Sequence, residues 1–161
     1  MTISARPARI SDAGDIARLT TELGYEVEAS TLAPRLSRLL SRPDQQLLVA
    51  ECDGRVVGWV HAVVSEYVEL DAFAVIGGLV VDRRHRRKGI GRRLMREAEE
   101  WARASGCSVV RLWSSTSRTA SHEFYRQLGY TKVKTQYSFV KSLDGSEVFT
   151  RFVPRVDGRQ G

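Results

Sequence analysis

Apolar residues along this 161-residue chain switch between a period of about 3.6 and a period of 2, and the switches mark its elements. A short strand is expected at 2–5. Ser11 then reads as an N-cap, with Asp12 and Asp15 suitably placed for the positive end of a helix dipole. Ala13, Ile16, Leu19 and Leu23 follow at helical spacing, and Gly24 stops them. A second helix is expected over 31–40, broken by Arg42-Pro43-Asp44. Two apolar runs, 46–52 and 55–64, flank Asp53-Gly54 and read as a hairpin closed by a type I′ turn. The next strand, 71–81, contains Gly77-Gly78, a pair that marks a bulge or a close backbone approach.

The clearest helix spans 89–105, where Ile90, Leu94, Ala98, Trp101 and Ala102 form one apolar stripe and Gly106 ends it. A buried strand at 108–113 and a helix at 118–128, stopped by Gly129, come next. Two terminal strands, 131–143 and 146–153, are expected around Asp144-Gly145. The order β-α-α-β-β-β-α-β-α-β-β holds no repeat or linker, so one domain is expected over 1–153, with a polar tail at 154–161. The fold class is α/β (α+β mixed), a mixed sheet with helices packed against it.

Composition narrows the class of protein. A hydrophobic share of 42% and a charged share of 27% are those of a soluble globular chain. No apolar run approaches the roughly 20 residues that span a bilayer, so no membrane partner is expected. The first ten residues lack the apolar core of a signal peptide, and a cytoplasmic location is the expectation. Cys52 and Cys107 form no CxxC, and His61, His85 and His122 are scattered, so no metal is expected. A net charge of +6 points to an anionic partner without naming it. Eight of the Lys and Arg residues lie between Arg83 and Arg96.

That basic segment carries the chemistry. Leu79-Val80-Val81 ends a strand, Asp82-Arg83-Arg84-His85-Arg86-Arg87-Lys88 turns, and Gly89-Ile90-Gly91-Arg92 opens the long helix. Strand, glycine turn and helix N-terminus together present unpaired N–H groups at the positive end of a dipole, which is an anion site. Gly89 and Gly91 lack a Cβ, so a phosphate can approach the main chain there. No Gly-Lys-Ser/Thr closes a Walker A loop, and Leu94 stands where a dinucleotide fingerprint needs its third glycine. A nucleic-acid patch would explain the charge but not the two glycines, and no aromatics interleave the cations, so no nucleic acid is expected. A solvated turn with a basic helix face is the bland alternative.

Arg86-x-x-Gly89-x-Gly91, in that context, resembles the acetyl-CoA motif of the GNAT superfamily of N-acetyltransferases. His122-Glu123-Phe124-Tyr125-Arg126-Gln127-Leu128-Gly129-Tyr130 resembles the family's Phe-Tyr-x-x-x-Gly-Phe/Tyr signature. The resemblance covers nearly the whole chain. It implies a mostly antiparallel mixed sheet of six to seven strands flanked by about four helices, and transfer of an acetyl group from acetyl-CoA to a primary amine. It implies a pyrophosphate on the backbone amides of Arg86, Arg87, Lys88, Gly89, Ile90, Gly91 and Arg92, and pantetheine along the main chain of Leu79, Val80 and Val81. Tyr125 would be the general acid that protonates the departing thiolate, which suits a phenol with a reference pKa of about 10.

The chain departs from the family pattern twice. Where many relatives carry a glutamate base, the strand reads Ala74-Val75-Ile76-Gly77-Gly78. The base then stays unassigned, with a water chain or Glu66, Glu69 or Asp71 as candidates. Where relatives place an asparagine for pantetheine, the segment is Ser114-Ser115-Thr116-Ser117-Arg118, and Ser121 or a nearby hydroxyl would substitute. Acceptor specificity is expected from the first two helices and the loop 65–71. The acids Glu22, Glu26, Glu28, Glu66, Glu69 and Asp71 there either favour a small cationic amine or are ordinary surface charges. The layout is similar to aminoglycoside and aminoalkylphosphonate acetyltransferases. A protein N-terminus or lysine as acceptor, a non-catalytic acyl-CoA sensor and a nucleic-acid module are the alternatives, and the sequence leaves a homodimer open.

Overall fold

A computed structural model describes residues 1–147. Five strands form one sheet in spatial order β1 (Ile3–Pro7), β2 (Gln45–Cys52), β3 (Arg55–Tyr67), β4 (Leu70–Val81) and β5 (Val110–Leu112). β1 to β4 pair antiparallel, and β5 joins β4 in parallel. Helices α1 (Ala13–Glu22) and α2 (Ala29–Leu40) connect β1 to β2. Helix α3 (Ile90–Ala104) crosses from β4 to β5, and α4 (Thr119–Gln127) follows β5.

The alternation of β2 shows why both faces of the sheet are covered. Leu47 and Val49 point to the face where Ile16, Leu19, Leu32 and Leu36 of α1 and α2 pack. Leu48 and Ala50 point to the other, against Ile90, Leu94, Met95 and Ala98 of α3. Leu19, Leu94 and Met95 are fully buried, each contributing roughly 2 kcal/mol by leaving water. Gly58 on β3 allows the close approach of α3, since a Cβ there would meet Val80 O at 2.9 Å and Leu94 Cδ1 at 3.3 Å.

The β2–β3 turn forms as its sequence requires, with Asp53 at φ 49° and Gly54 at φ 77°, both in the left-handed region of a type I′ turn. The start of α1 differs from expectation. A 3-10 turn over Ile10–Asp12 precedes the helix, and Asp12, rather than Ser11, is the N-cap. Its carboxylate accepts from the Arg9 backbone N–H at 2.8 Å and from Arg6 at 2.8 and 3.0 Å, which holds the carboxyl below its usual range.

Among the described residues no strand is seen at 131–143. Val133, Tyr137 and Phe139 are exposed, and the segment joins no ladder among the described residues. A strand needs a hydrogen-bonded neighbour, and the one expected for it, 146–153, falls largely outside the described residues. The described sheet therefore has five strands where six to seven were expected.

Candidate active site

β4 keeps its β5 partner for only three residues. Ala74, Val75 and Ile76 pair with Val110, Arg111 and Leu112, and the ladder then stops. On its other side β4 continues to pair with β3 as far as Val81, with one irregularity. His61 pairs with Gly78 and Ala62 with Ile76, so Gly77 is an extra residue, a β-bulge. The glycine pair thus marks the point at which β4 separates from β5. A Cβ on Gly78 would lie 2.7 Å from Cη2 of Trp59, so the indole covers that glycine. Leu79, Val80 and Val81 lie on the stretch of β4 with no β5 partner.

Beyond β4, Asp82 caps a 3-10 turn, Arg83–His85, by accepting from Arg84 N–H at 2.9 Å. Arg18 of α1 reaches the same carboxylate at 3.0 Å. The chain then turns through Arg87 at φ 60° and Gly89 at φ 77° into α3. Residues 86–89 are exposed, while Ile90 is buried as an anchor. Among the described residues, no group accepts from the backbone N–H of any residue from 86 to 92. Seven donors, four of them (Gly89 to Arg92) at the start of α3, are left for water or a ligand. The exposed Arg86 side chain lies back along β4, its Nε donating to Val81 O at 3.2 Å and its Nη2 lying 3.6 Å from Glu22.

The two glycines of the turn differ in what they allow. Nothing lies within 4 Å of a Cβ built on Gly89, where the positive φ is the constraint. A Cβ on Gly91 would lie 3.2 Å from Phe124 Cζ and 3.7 Å from Val81 Cγ2. Gly91 is where α4 and β4 close on α3.

Tyr125 follows Phe124 on α4 and is half-buried, its ring edge-on to Phe124 and to Tyr130 at 5.2 and 5.9 Å. Burial raises its pKa and the Arg118 charge works against the rise, so the phenol keeps its proton at neutral pH. Among the described residues its hydroxyl has no hydrogen-bond partner. Ser121 lies one turn earlier and is half-buried. Arg118, at the start of α4, donates to Leu23 O at 3.2 Å, and His122 Nε2 donates to Ser115 O at 2.8 Å. Ser114, two residues past β5, has a buried hydroxyl with no partner among the described residues.

The expected acids do not gather here. Glu66, Glu69 and Asp71 sit at the exposed tip of the β3–β4 hairpin, Glu66 between four and five residues from the level of Gly77 and the other two farther. At about 3.3 Å per residue that is roughly 15–20 Å from the bulge. Glu22 is taken up by the turn, accepting from Arg83 N–H at 3.2 Å. The side chain that sequence reasoning passed over is His61, which β3 carries to the bulge. Only the β3–β4 register brings it there, and no local motif announces it.

Residues 14–130 match the model of the acetyltransferase (GNAT) family. The chain belongs to that family. This acetyltransferase is 27% identical over 146 residues to an aminoglycoside N(6')-acetyltransferase type 1 of Acinetobacter haemolyticus, covering 88% of this chain and 100% of the relative. The crystal structure of the aminoglycoside 6'-N-acetyltransferase AAC(6')-IG of that organism superposes with a TM-score of 0.75 at 25% identity, covering 89% of this chain and 100% of that one. AAC(6')-Iy, solved in complex with the bisubstrate analog CoA-S-monomethyl-acetylneamine, shares the fold at 18% identity and a TM-score of 0.78, covering 88% of this chain and 99% of that one. Among the described residues, no helix of this acetyltransferase is long and apolar enough to cross a membrane.

Proposed function

We propose that this acetyltransferase uses acetyl-CoA and transfers its acetyl group to the primary amine of a small molecule. The observation that carries the reading is the run of unpartnered N–H groups from Arg86 to Arg92, open at Gly89 and set at the start of α3. Backbone donors on a helix dipole suit a diphosphate. Acetyl-CoA supplies an activated thioester carbonyl. The edge of β4 at Leu79, Val80 and Val81, free of β5 and touched at Val81 O by the Arg86 side chain, offers main-chain groups to an extended pantetheine arm, as an added strand would be taken.

At the other end of that edge the residues have acyl-transfer chemistry to perform. Main-chain N–H groups beside the Gly77–Gly78 bulge can polarise a carbonyl, and the Tyr125 hydroxyl holds a proton for a leaving thiolate. Ser121, one turn before Tyr125 on α4, stands in for the asparagine that the sequence lacks.

The acceptor reading draws on the aminoglycoside acetyltransferases to which the chain is similar along nearly its whole length, and an aminoglycoside amine is the first candidate. Two measurements test the proposal. CoA is expected to raise the melting temperature, because a ligand of the native state stabilises it by mass action. Thiol release from acetyl-CoA is expected with at least one acceptor among neamine, spermidine and 2-aminoethylphosphonate. No shift with CoA would refute the cofactor, and no turnover with any amine would leave a CoA-binding sensor.

A further inference from the structure

The middle of β3 brings an imidazole to the place where β4 loses its partner. His61 pairs with Gly78, and the bulge residue Gly77 comes next. Gly77 is exposed although its neighbour Ile76 is buried, so the sheet opens to solvent at this position. A Cβ built on Gly77 would lie 3.3 Å from His61 Nδ1 and 4.0 Å from Cγ, so the ring runs alongside the glycine with Nδ1 nearest. With only hydrogens on Gly77, that nitrogen is reachable from the opening.

The other nitrogen fixes which one can accept a proton. His61 Nε2 lies 2.7 Å from Gln45 Oε1 on β2. With the Gln45 amide oxygen turned to the ring, Nε2 is the donor and Nδ1 of the neutral ring keeps a free lone pair. Burial lowers the pKa of His61, which favours that neutral form at pH 7. A base oriented by a second residue and facing an opening is the arrangement that acid–base catalysis requires.

We propose that His61 is the general base of the acyl transfer, its Nδ1 receiving the proton of the attacking amine at the Gly77 bulge. The role rests on the acetyltransferase reading given above. The amine lone pair forms a C–N bond to the thioester carbon, and the C–S bond breaks with its electron pair leaving on sulfur. As the nitrogen becomes cationic, its proton passes to Nδ1, while the Tyr125 hydroxyl gives a proton to sulfur. The products are an amide, a free thiol, an imidazolium and a phenolate. Proton return from His61 to Tyr125 through solvent restores both groups. Gln45 is a positioning residue that holds the tautomer.

The test uses the full chain as wild type, His61→Ala and His61→Gln, with CoA titration by calorimetry and thiol release from acetyl-CoA. Neamine, spermidine and 2-aminoethylphosphonate are the acceptors. Both variants are expected to bind CoA within about twofold of wild type and to lose about 100-fold in kcat, the contribution of one acid–base group. Added imidazole is expected to restore rate to His61→Ala, which leaves a space beside Gly77, and not to His61→Gln, which fills it. An unchanged kcat in His61→Gln, or a loss in His61→Ala that imidazole does not touch, overturns the role while wild-type turnover leaves the acetyltransferase reading standing. A wild-type protein without CoA affinity overturns both.

Discussion

Gly91 and Phe124 meet with no side chain between them: a Cβ on the glycine would sit 3.2 Å from Cζ of the ring. The first turn of α3, which carries the free N–H groups, is therefore seated directly on the helix that carries Tyr125. Anything that wedges the two apart moves both halves of the site.

Gly91→Val supplies such a wedge. Its γ-carbons have to displace Phe124, and overpacking of this kind costs about 1–3 kcal/mol. Urea denaturation is expected to show a lowered midpoint, and thiol release a lowered kcat. Phe124→Ala in the same chain is expected to return part of the lost stability. A double variant no more stable than Gly91→Val alone would show that the ring is not the obstacle.

Gly89→Ala separates backbone conformation from space. The site is open, but φ 77° costs an L-residue about 1 kcal/mol. Relief by a flip to negative φ would redirect the N–H groups of the turn. A stability change of that small size, together with at least a tenfold weaker Kd for CoA by calorimetry, is the expected outcome. Unchanged affinity would remove the 86–92 turn from the cofactor site.

Tyr125→Phe keeps the ring contacts with Phe124 and Tyr130 and deletes only the hydroxyl. A fall of about 100-fold in kcat with CoA affinity preserved is expected if that hydroxyl protonates sulfur. Burial raises the phenol pKa, so the acid form persists to more alkaline pH than a free tyrosine would allow. The Tyr125-dependent part of kcat should then hold past pH 10, near the ordinary tyrosine value, and a decline well below it would contradict the assignment.

Asp12 ties the start of α1 to β1 through Arg6 and the Arg9 N–H. The hydrogen bonds from Arg6 come first among the causes that hold its carboxyl below the usual range. Folding therefore gains from this group at neutral pH. The gain is lost as pH falls below the ordinary carboxylate value and through the lower folded one. Asp12→Ala is expected to cost about 2 kcal/mol at pH 7 by chemical denaturation, and much less near pH 2. An equal cost at both values would mean that the charge is not what stabilises this corner.

Much of this could be read from residues alone because it is local. Asp53-Gly54 suits a two-residue type I′ turn, and the basic turn followed by Gly89 marks the start of α3. What escaped was non-local. Asp12 left its expected place as a first-turn acid because Arg6, on a neighbouring strand, held it. Gly91 answered to Phe124, 33 residues later, as well as to any phosphate. His61 looked like one of three scattered histidines until the register set it against Gly77. The acids at the β3–β4 tip were close to the bulge in number and remote from it in space, since an extended strand converts each residue into about 3.3 Å.

From Gly77 to Val81, β4 runs without a β5 partner, and alternate main-chain groups of that stretch point to the open side. An unsatisfied edge of that length is a template for any extended peptide, another copy of the same chain included. On the acetyl-CoA reading proposed above, the molecule is at its most adhesive between releasing one thiol and admitting the next donor. A purified stock would keep longer with its cosubstrate in the buffer, for reasons unrelated to turnover.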